Sequence, residues 1–414
     1  MLLGIRVRNF EMLRDTQVGI IGDDALGKPA DTGRVLAAGL NSAMPLTQLA
    51  AFIGRNDTGK SSVFHAMSFL SDTVRHGVRF ASTQSGRKGF TRLRSNGEDG
   101  PILFDLAVFL SALDTTVLYR ISLDCDSFGR PFILEEEILR ADPAGHRTVP
   151  ILRLKNGKGV LADGDKMRDA GVAEEDATGL GAYGAIAAHP CIHALYAMVS
   201  NWFFCLFPTH EETSPLPDAP TAGGHKHLSS DGANLENVLQ YLRQADAKSY
   251  GRAIGRIREK MPGRRPIDDA VLDGRISGAT RRLFAYLLLL EDPQPRPLLC
   301  IEHPDEGLYH EMVDTLAGEL RDYSLRQPDT QILFTTHNPF MLESMVPEEV
   351  WVFVRQPAEG LTAGVAAGKD ELTDNAAARC VGADPVVRAM YEEGVGMGSM
   401  WYSGHFEPEG YDAP

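Results

Sequence analysis

Only five cysteines occur in the 414 residues, at 125, 191, 205, 300 and 380, and none forms a CxxC pair. That scatter excludes a disulfide scaffold and suits a reduced compartment, so a cytoplasmic setting is expected. No apolar run approaches the roughly 18–20 residues needed to span a bilayer, which argues against a membrane role. The opening MLLGIRVRNF alternates arginines in a strand-like pattern and lacks the form of a secretory leader. A basic excess is missing too: 56 acidic residues face 41 Lys and Arg, a formal net charge of −15. A broadly coated nucleic-acid binder is thereby disfavoured, while local basic patches stay open. No stretch sustains a heptad over several turns, so long coiled-coil arms are not expected. With 43% hydrophobic residues the chain can bury one large core or two modest ones.

Residues 49–62 read LAAFIGRNDTGKSS. A short apolar run, Leu49 to Ile53, enters Gly54-x-x-x-x-Gly59-Lys60-Ser61, the P-loop pattern. Val63, Met67 and Leu70 then recur at helical spacing. The strand aims the loop, and the glycines let backbone N–H groups close around β- and γ-phosphates. The helix that follows turns its positive end to the anion. The expected nucleotide site is therefore Gly54, Arg55, Asn56, Asp57, Thr58, Gly59, Lys60, Ser61 and Ser62. Lys60 offsets phosphate charge, and the Ser61 hydroxyl is placed for Mg²⁺. The pattern predicts binding of a nucleoside triphosphate.

Two further strand ends carry polar groups. In PLLCIEHPDEGLYH the apolar run Leu298 to Ile301 reads as a buried strand with Glu302 at its C-terminal end. A parallel P-loop sheet presents a carboxylate to the nucleotide's Mg²⁺ at that place. QILFTTHNP repeats the design, with a strand over 331–334 followed by Thr335, Thr336 and His337. Met312, Val313, Leu316 and Leu320 mark an amphipathic helix between them. The three segments read as strand–helix–strand of a parallel sheet.

Taken in order, Asn9–Phe10, GRNDTGKSS, SDGANLENVL at 230–239, ISGATRRL at 276–283, IEHPDEGLYH and TTHNP resemble the ABC-type ATPases of the RecF/SMC/OLD group. That group comprises compact AAA-annotated ATPases of DNA repair and prokaryotic antiviral defence. The likeness runs from residue 1 to about 403, and the ending MGSMWYSGHF shares it. The resemblance implies an α/β fold: an ABC-type core with an antiparallel β flank and a helical insertion lobe. It makes Lys60 and Ser61 the phosphate and Mg²⁺ ligands and gives Glu302 the second-motif acidic position, also on Mg²⁺. It makes His337 the switch histidine that senses the γ-phosphate. Ser277, Gly278, Ala279 and Thr280 take the signature motif, which in this group touches ATP held by the opposite subunit. The implied assembly is a homodimer or higher oligomer closed around ATP, with a separately encoded protein effector.

Two departures bear on chemistry. The group usually has Asp-Glu or Glu-Glu where this chain has Glu302–His303, and the missing carboxylate is the one that activates water. Histidine serves as a general base near neutral pH, so His303 is a candidate substitute; the alternative is slow or absent hydrolysis. Asp305 lies two residues further on, a shift that rarely preserves catalytic geometry. In the signature, Gly278–Ala279 replaces the usual Asp-Gly, and the added methyl should weaken engagement across the subunits.

The spacing divides the chain into 1–150 (P-loop and antiparallel flank), 151–270 (a mostly helical insertion lobe) and 271–414 (signature, Glu302, His337 and tail). Residues 101–140 alternate as strands, 141–180 are polar and Gly-rich and read as loops, and 181–260 have helical periodicity. The segment 22–46 reads as an insertion. Between 189 and 227, Cys191, Cys205 and five histidines crowd together, in no structural-zinc spacing, and read as ordinary core and surface residues. Basic clusters at 87–94 and 252–265 leave DNA contact open. The 77 residues after His337 read as too few for the nuclease domain of OLD proteins. The sequence therefore points to a nucleotide-gated switch acting on a partner in antiviral defence or DNA repair. A pseudo-ATPase scaffold and a stand-alone DNA-repair ATPase are the competing readings.

Overall fold

The computed structural model describes residues 1–22, 44–142, 147–164, 166–207, 226–261, 267–272, 276–357 and 374–406. The segment 22–46 falls outside these from 23 to 43. Contacts divide the chain into two units, Met1–Trp202 with Pro347–Arg388 and Phe203–Val346 with Ala389–Pro414. Residues 151–202 thus group with the first unit and 203–270 with the second.

The first unit is built on period-two alternation. Strands β1 (Leu2–Phe10), β2 (Leu13–Gly19), β4 (Ile102–Leu110), β5 (Thr115–Cys125) and β6 (Pro131–Ala141) belong to one sheet. With β7 (Thr148–Lys155), β8 (Lys158–Asp163) and β9 (Lys166–Gly171) it is eight-stranded and antiparallel. Its order is β2-β1-β4-β5-β6-β7-β8-β9. Alternate residues such as Ile5, Val7, Phe104 and Leu106 are buried, while Arg6 pairs with Asp15 and Arg8 with Asp105. The first strands match the flank read from 101–140. The stretch 141–180 departs from its loop reading, because β7, β8 and β9 continue the sheet. Asn156 and Gly157, both at positive φ, make the two-residue turn between β7 and β8.

Strand β3 (Leu49–Ile53) is buried on both faces, pairs in parallel with β13 (Val350–Pro357), and β13 pairs antiparallel with β14 (Asp374–Cys380). Helix α1 (Lys60–His76) follows β3 and buries Val63, Phe64, Met67, Leu70 and Val74. Its Phe69 ring lies 5.6 Å from Phe10 and 6.2 Å from Phe104, which fixes the helix on the antiparallel sheet. The short helices α2 (Val78–Ala81), α3 (Gly179–Gly184) and α4 (Pro190–Ser200) complete this side of the unit.

In the second unit β10 (Trp202–Cys205) neighbours β11 (Leu298–Ile301), and β11 pairs in parallel with β12 (Gln331–Thr335). Every residue of β11 and β12 is buried. Helices α5 (Leu235–Ala245), α6 (Ala247–Lys260) and α7 (Ile267–Leu272) precede α8 (Gly278–Leu290), which is buried from Arg282 onwards. Helix α9 (His310–Arg326) buries Met312, Val313, Leu316 and Leu320, the stripe expected of it. α10 (Pro385–Glu392) and α11 (Met397–Tyr402) come last. Among the described residues no helix exceeds the 17 residues of α1 and α9, and no long coiled coil forms. No described helix is long and apolar enough to cross a membrane.

One buried charge organises the far side of the sheet. Glu136 is 2% exposed, and its carboxylate accepts from Gly179 N (2.6 Å), Leu180 N (2.9 Å) and Tyr119 Oη (2.9 Å). Burial pushes its pKa above the usual carboxylate range. Glu136→Gln removes one acceptor oxygen and turns an N–H₂ toward donors. We expect a loss of about 1–3 kcal/mol in urea unfolding; an unchanged midpoint would show that the site repacks without it.

Candidate functional site: a P-loop cradle and a histidine turn

The P-loop lies in the first unit, where two glycines are required by close backbone approach. Gly54 has φ +134°, and a Cβ there would sit 2.3 Å from the Phe353 carbonyl oxygen of β13. Gly59 has φ +97°, and its Cβ would meet the Ala376 methyl of β14 at 2.5 Å. Between them Asp57 also takes a left-handed conformation, φ +58°. The loop is tied by Thr58 Oγ1 donating to Arg55 O (2.9 Å) and by Arg355 Nε donating to Asp57 O (2.6 Å). Arg55, Asn56 and Asp57 are exposed, while Thr58, Gly59, Lys60 and Ser62 are buried and Ser61 half-buried.

Lys60 Nζ donates to Gly54 O at 2.9 Å and Arg55 O at 2.6 Å. Gly59 caps α1 without any side-chain bond, and the first turn of the helix holds no acidic residue. The helix start thus carries neither a capping side chain at Gly59 nor a first-turn carboxylate that would repel an incoming anion. The donor set, the absence of Cβ atoms and the central ammonium all fit a phosphate group.

The second unit brings Glu302, His303, Asp305, Thr336 and His337 together at the ends of β11 and β12. Glu302 N donates to Cys205 O (2.9 Å), extending the strand pairing by one residue. His303 then turns sharply, with φ +44°, a conformation that costs a non-glycine residue about 1–3 kcal/mol. Both peptide groups around it are held: His303 N donates to Thr335 Oγ1 (3.0 Å), and His303 O accepts from Arg282 Nη2 (2.8 Å). The turn stacks the His303 ring on that of His337, with centroids 5.1 Å apart and planes 12° from parallel. The Asp305 carboxylate accepts from Thr336 Oγ1 at 2.8 Å, and burial raises its pKa from the ordinary carboxylate value. Thr336 Oγ1 also accepts from Asn338 N (2.9 Å). Asp305 is thus an anchored neighbour of the histidine pair.

The signature segment is a helix start. Ser277 is the N-cap of α8: its Oγ accepts from Thr280 N (3.3 Å) and shares a hydrogen bond with Thr280 Oγ1 (2.8 Å). Ser277 is exposed, and Gly278, Ala279 and Thr280 are half-buried in the first turn. Asn9, the other motif residue quoted above, bridges Ser95 N (3.0 Å) and Gly100 O (2.6 Å) and so holds a loop of the first unit.

The remaining constellations have structural partners. His193 Nδ1 contacts Gly184 O (2.8 Å) and His227 Nδ1 contacts Asp292 (2.7 Å); His210 and His225 lie outside the described residues. Among the described residues no group of three or more His, Cys, Asp or Glu could hold a metal ion. In the first basic cluster Arg87 pairs with Asp72 and Arg94 with Asp124, both arginines largely buried. In the second, Arg256 pairs with Glu291, Arg258 with Asp268 and Lys260 with Glu319; Arg264 and Arg265 lie outside the described residues. These cations are mostly spoken for. Arg282 and Arg355 were not foreseen, since each reaches its partner across the fold and neither sits in a motif position with a known task.

With the geometry in place, comparison defines the class. A family model described as "AAA domain, putative AbiEii toxin, Type IV TA system" matches residues 216–343. That stretch, which holds the signature segment, Glu302, His303 and His337, is therefore similar to an AAA domain. Solved structures similar to the chain include an SMC head bound to the C-winged helix domain of ScpA. It is 11% identical with TM-score 0.46, over 92% of this chain and 98% of that one. An SMC head domain from Thermotoga maritima is 12% identical with TM-score 0.38, over 85% and 94%. An Smc head with an extended coiled coil, bound to a C-terminal domain of ScpA derived from Pyrococcus furiosus, is 10% identical with TM-score 0.43, over 95% and 98%. No protein of curated function matches the sequence.

Gly54→Ala would force a methyl onto a backbone carbonyl at a φ that L-residues avoid. We expect it to destabilise the first unit by at least about 1–3 kcal/mol in thermal or urea unfolding. Wild-type stability would mean that the loop is free to move away from β13.

Proposed function

We propose that this chain binds ATP with Mg²⁺ at the P-loop and works as a nucleotide-gated dimeric switch. Its output passes to a separately encoded protein effector in the cytoplasm. The observation that carries the reading is the cradle itself: two obligatory glycines, a helix that starts on one of them with no acidic residue in its first turn, and an ammonium resting on its own loop. Lys60 can exchange two neutral carbonyl acceptors for phosphate oxygens, a gain because the ammonium then meets a full negative charge and not a carbonyl dipole. Ser61 and Glu302 are the residues that would hold Mg²⁺, which when bound offsets the charge of the phosphates.

His303 stands where the resembling ATPases carry their water-activating carboxylate, and an imidazole can take a proton near neutral pH. Its stacking on His337 supports a shared role for the two rings, with His337 reporting the γ-phosphate. Ser277 to Thr280 would meet nucleotide held by a second copy, which makes the dimer a consequence of ATP. The ion pairing of the basic clusters favours this reading over a stand-alone DNA-repair ATPase. The description of the matching family, a putative toxin of a toxin–antitoxin system, favours a defence setting over repair.

Lys60→Ala should abolish ATP binding measured by calorimetry. In the wild type ATP, but not ADP, should move the sedimentation coefficient from monomer to dimer. Retained affinity in Lys60→Ala would remove the P-loop assignment. Turnover should be below the roughly 1 s⁻¹ floor of typical kcat values, and His303→Glu should raise it. A brisk wild-type rate that survives His303→Ala would show that another group activates water.

A further inference from the structure

Helix α8 joins two things that the site reading treats separately, the signature segment at its N-terminus and the His303 turn beside its second turn. The link is Arg282. This arginine is 4% exposed, and its Nη2 donates to His303 O at 2.8 Å. The guanidinium also lies 5.9 Å from the Tyr286 ring, with Nη2 at 3.5 Å from Tyr286 Oη. Among the described residues its Nε and Nη1 are buried without a hydrogen-bond partner. A buried guanidinium left so poorly satisfied is a liability for stability, and an apolar side chain of similar length would fill the space with less penalty. What the arginine adds is one strong donor at the His303 carbonyl, together with a positive charge that favours the ionised form of the neighbouring Asp305 carboxylate.

That carbonyl belongs to a residue in a left-handed conformation, φ +44°, which is uncommon and costly for any residue with a Cβ. Thr335 Oγ1 pins the peptide before it; Arg282 pins the peptide after it from a side chain, alongside the Glu306 amide, which donates to the same carbonyl at 3.2 Å. Such a conformation persists only where its surroundings over-determine it, and these three bonds do so, with Arg282 supplying the one that reaches in from α8. The consequence is the parallel stack of His303 on His337. Helix α8 begins five residues earlier, at the Ser277 cap, and Arg281, next to Arg282, pairs with Glu236 of α5. A movement of the helix start therefore acts on the His303 carbonyl through a single side chain.

We propose that Arg282 is a positioning residue that sets the orientation of His303 and couples it to the signature end of α8. The proposal rests on the reading of His303 as the water-activating group, and it extends that reading by naming what holds the imidazole in place. Arg282 touches neither nucleotide nor water in this scheme. It acts through the backbone of another residue.

The test uses the full chain and three substitutions: Arg282→Met, which keeps length and removes the donor, Arg282→Lys, which keeps one, and His303→Ala. In Arg282→Met the thermal midpoint should be unchanged or higher, and ATP affinity unchanged. The ring-proton resonance of His303, recognised by its loss in His303→Ala, should move out of the upfield position that stacking on His337 imposes. The resonance of His227, held by Asp292 elsewhere in the unit, should stay. Arg282→Lys should restore most of the shift. Single-turnover hydrolysis should fall about tenfold in Arg282→Met, and by less than about twofold when the same change is made on His303→Ala, because coupled residues are non-additive. An unmoved His303 resonance, or a loss of turnover that is as large without His303 as with it, would overturn the proposal. The resonance readout does not depend on nucleotide, so a failure of the ATP reading appears separately, as wild type that neither binds nor turns over ATP while the histidine shift still follows Arg282.

Discussion

Everything proposed for this chain depends on backbone packed directly against backbone at the P-loop. Between Gly54 and Gly59 the chain passes so close to β13 and β14 that a methyl at either end would strike the Phe353 carbonyl or the Ala376 side chain. The loop is thereby held against the two strands at both of its glycines, and α1 starts on a glycine that brings no capping side chain. A site of this kind has little chemical specificity of its own beyond charge and size. It selects an anion, and Lys60 on its own carbonyls keeps the charge inside until one arrives.

The second unit applies the same economy at a strand end. A fully buried strand can place a polar residue only where it stops, and β11 and β12 stop side by side at Glu302 and Thr335. The two threonines that follow this rule are fully committed, one to the His303 amide and the other to Asp305. In the proposed reading His303 and His337, beside Glu302, are the groups left to face the nucleotide. Replacing a carboxylate by an imidazole here exchanges a fixed charge for a group whose charge depends on pH and surroundings, which suits a slow switch better than a fast hydrolase.

Local spacing made the P-loop, β11, β12 and the buried stripe of α9 legible before any coordinates, because glycine positions and apolar periodicity are local properties. The strands over 148–171 were missed for a physical reason. Their faces are largely solvated, so the alternation is masked by polar residues, although Asn156–Gly157 is a hairpin signal that a stricter reading would have weighed. The ion pairs of the basic clusters were not legible either. Their carboxylate partners, among them Asp72, Asp124, Glu291 and Glu319, are brought in by tertiary folding and have no signature in the linear pattern. Arg282 and Arg355 belong to the same class, since each acts on a backbone carbonyl far away in sequence.

The central claim is that a phosphate-bearing nucleotide occupies the Gly54–Ser62 loop. Titration calorimetry of the wild-type chain with ATP, in the presence and absence of Mg²⁺, tests it most directly. The account predicts saturable binding of one nucleotide per chain that weakens when Mg²⁺ is withdrawn. The absence of saturable heat at millimolar ATP with Mg²⁺ present would contradict it.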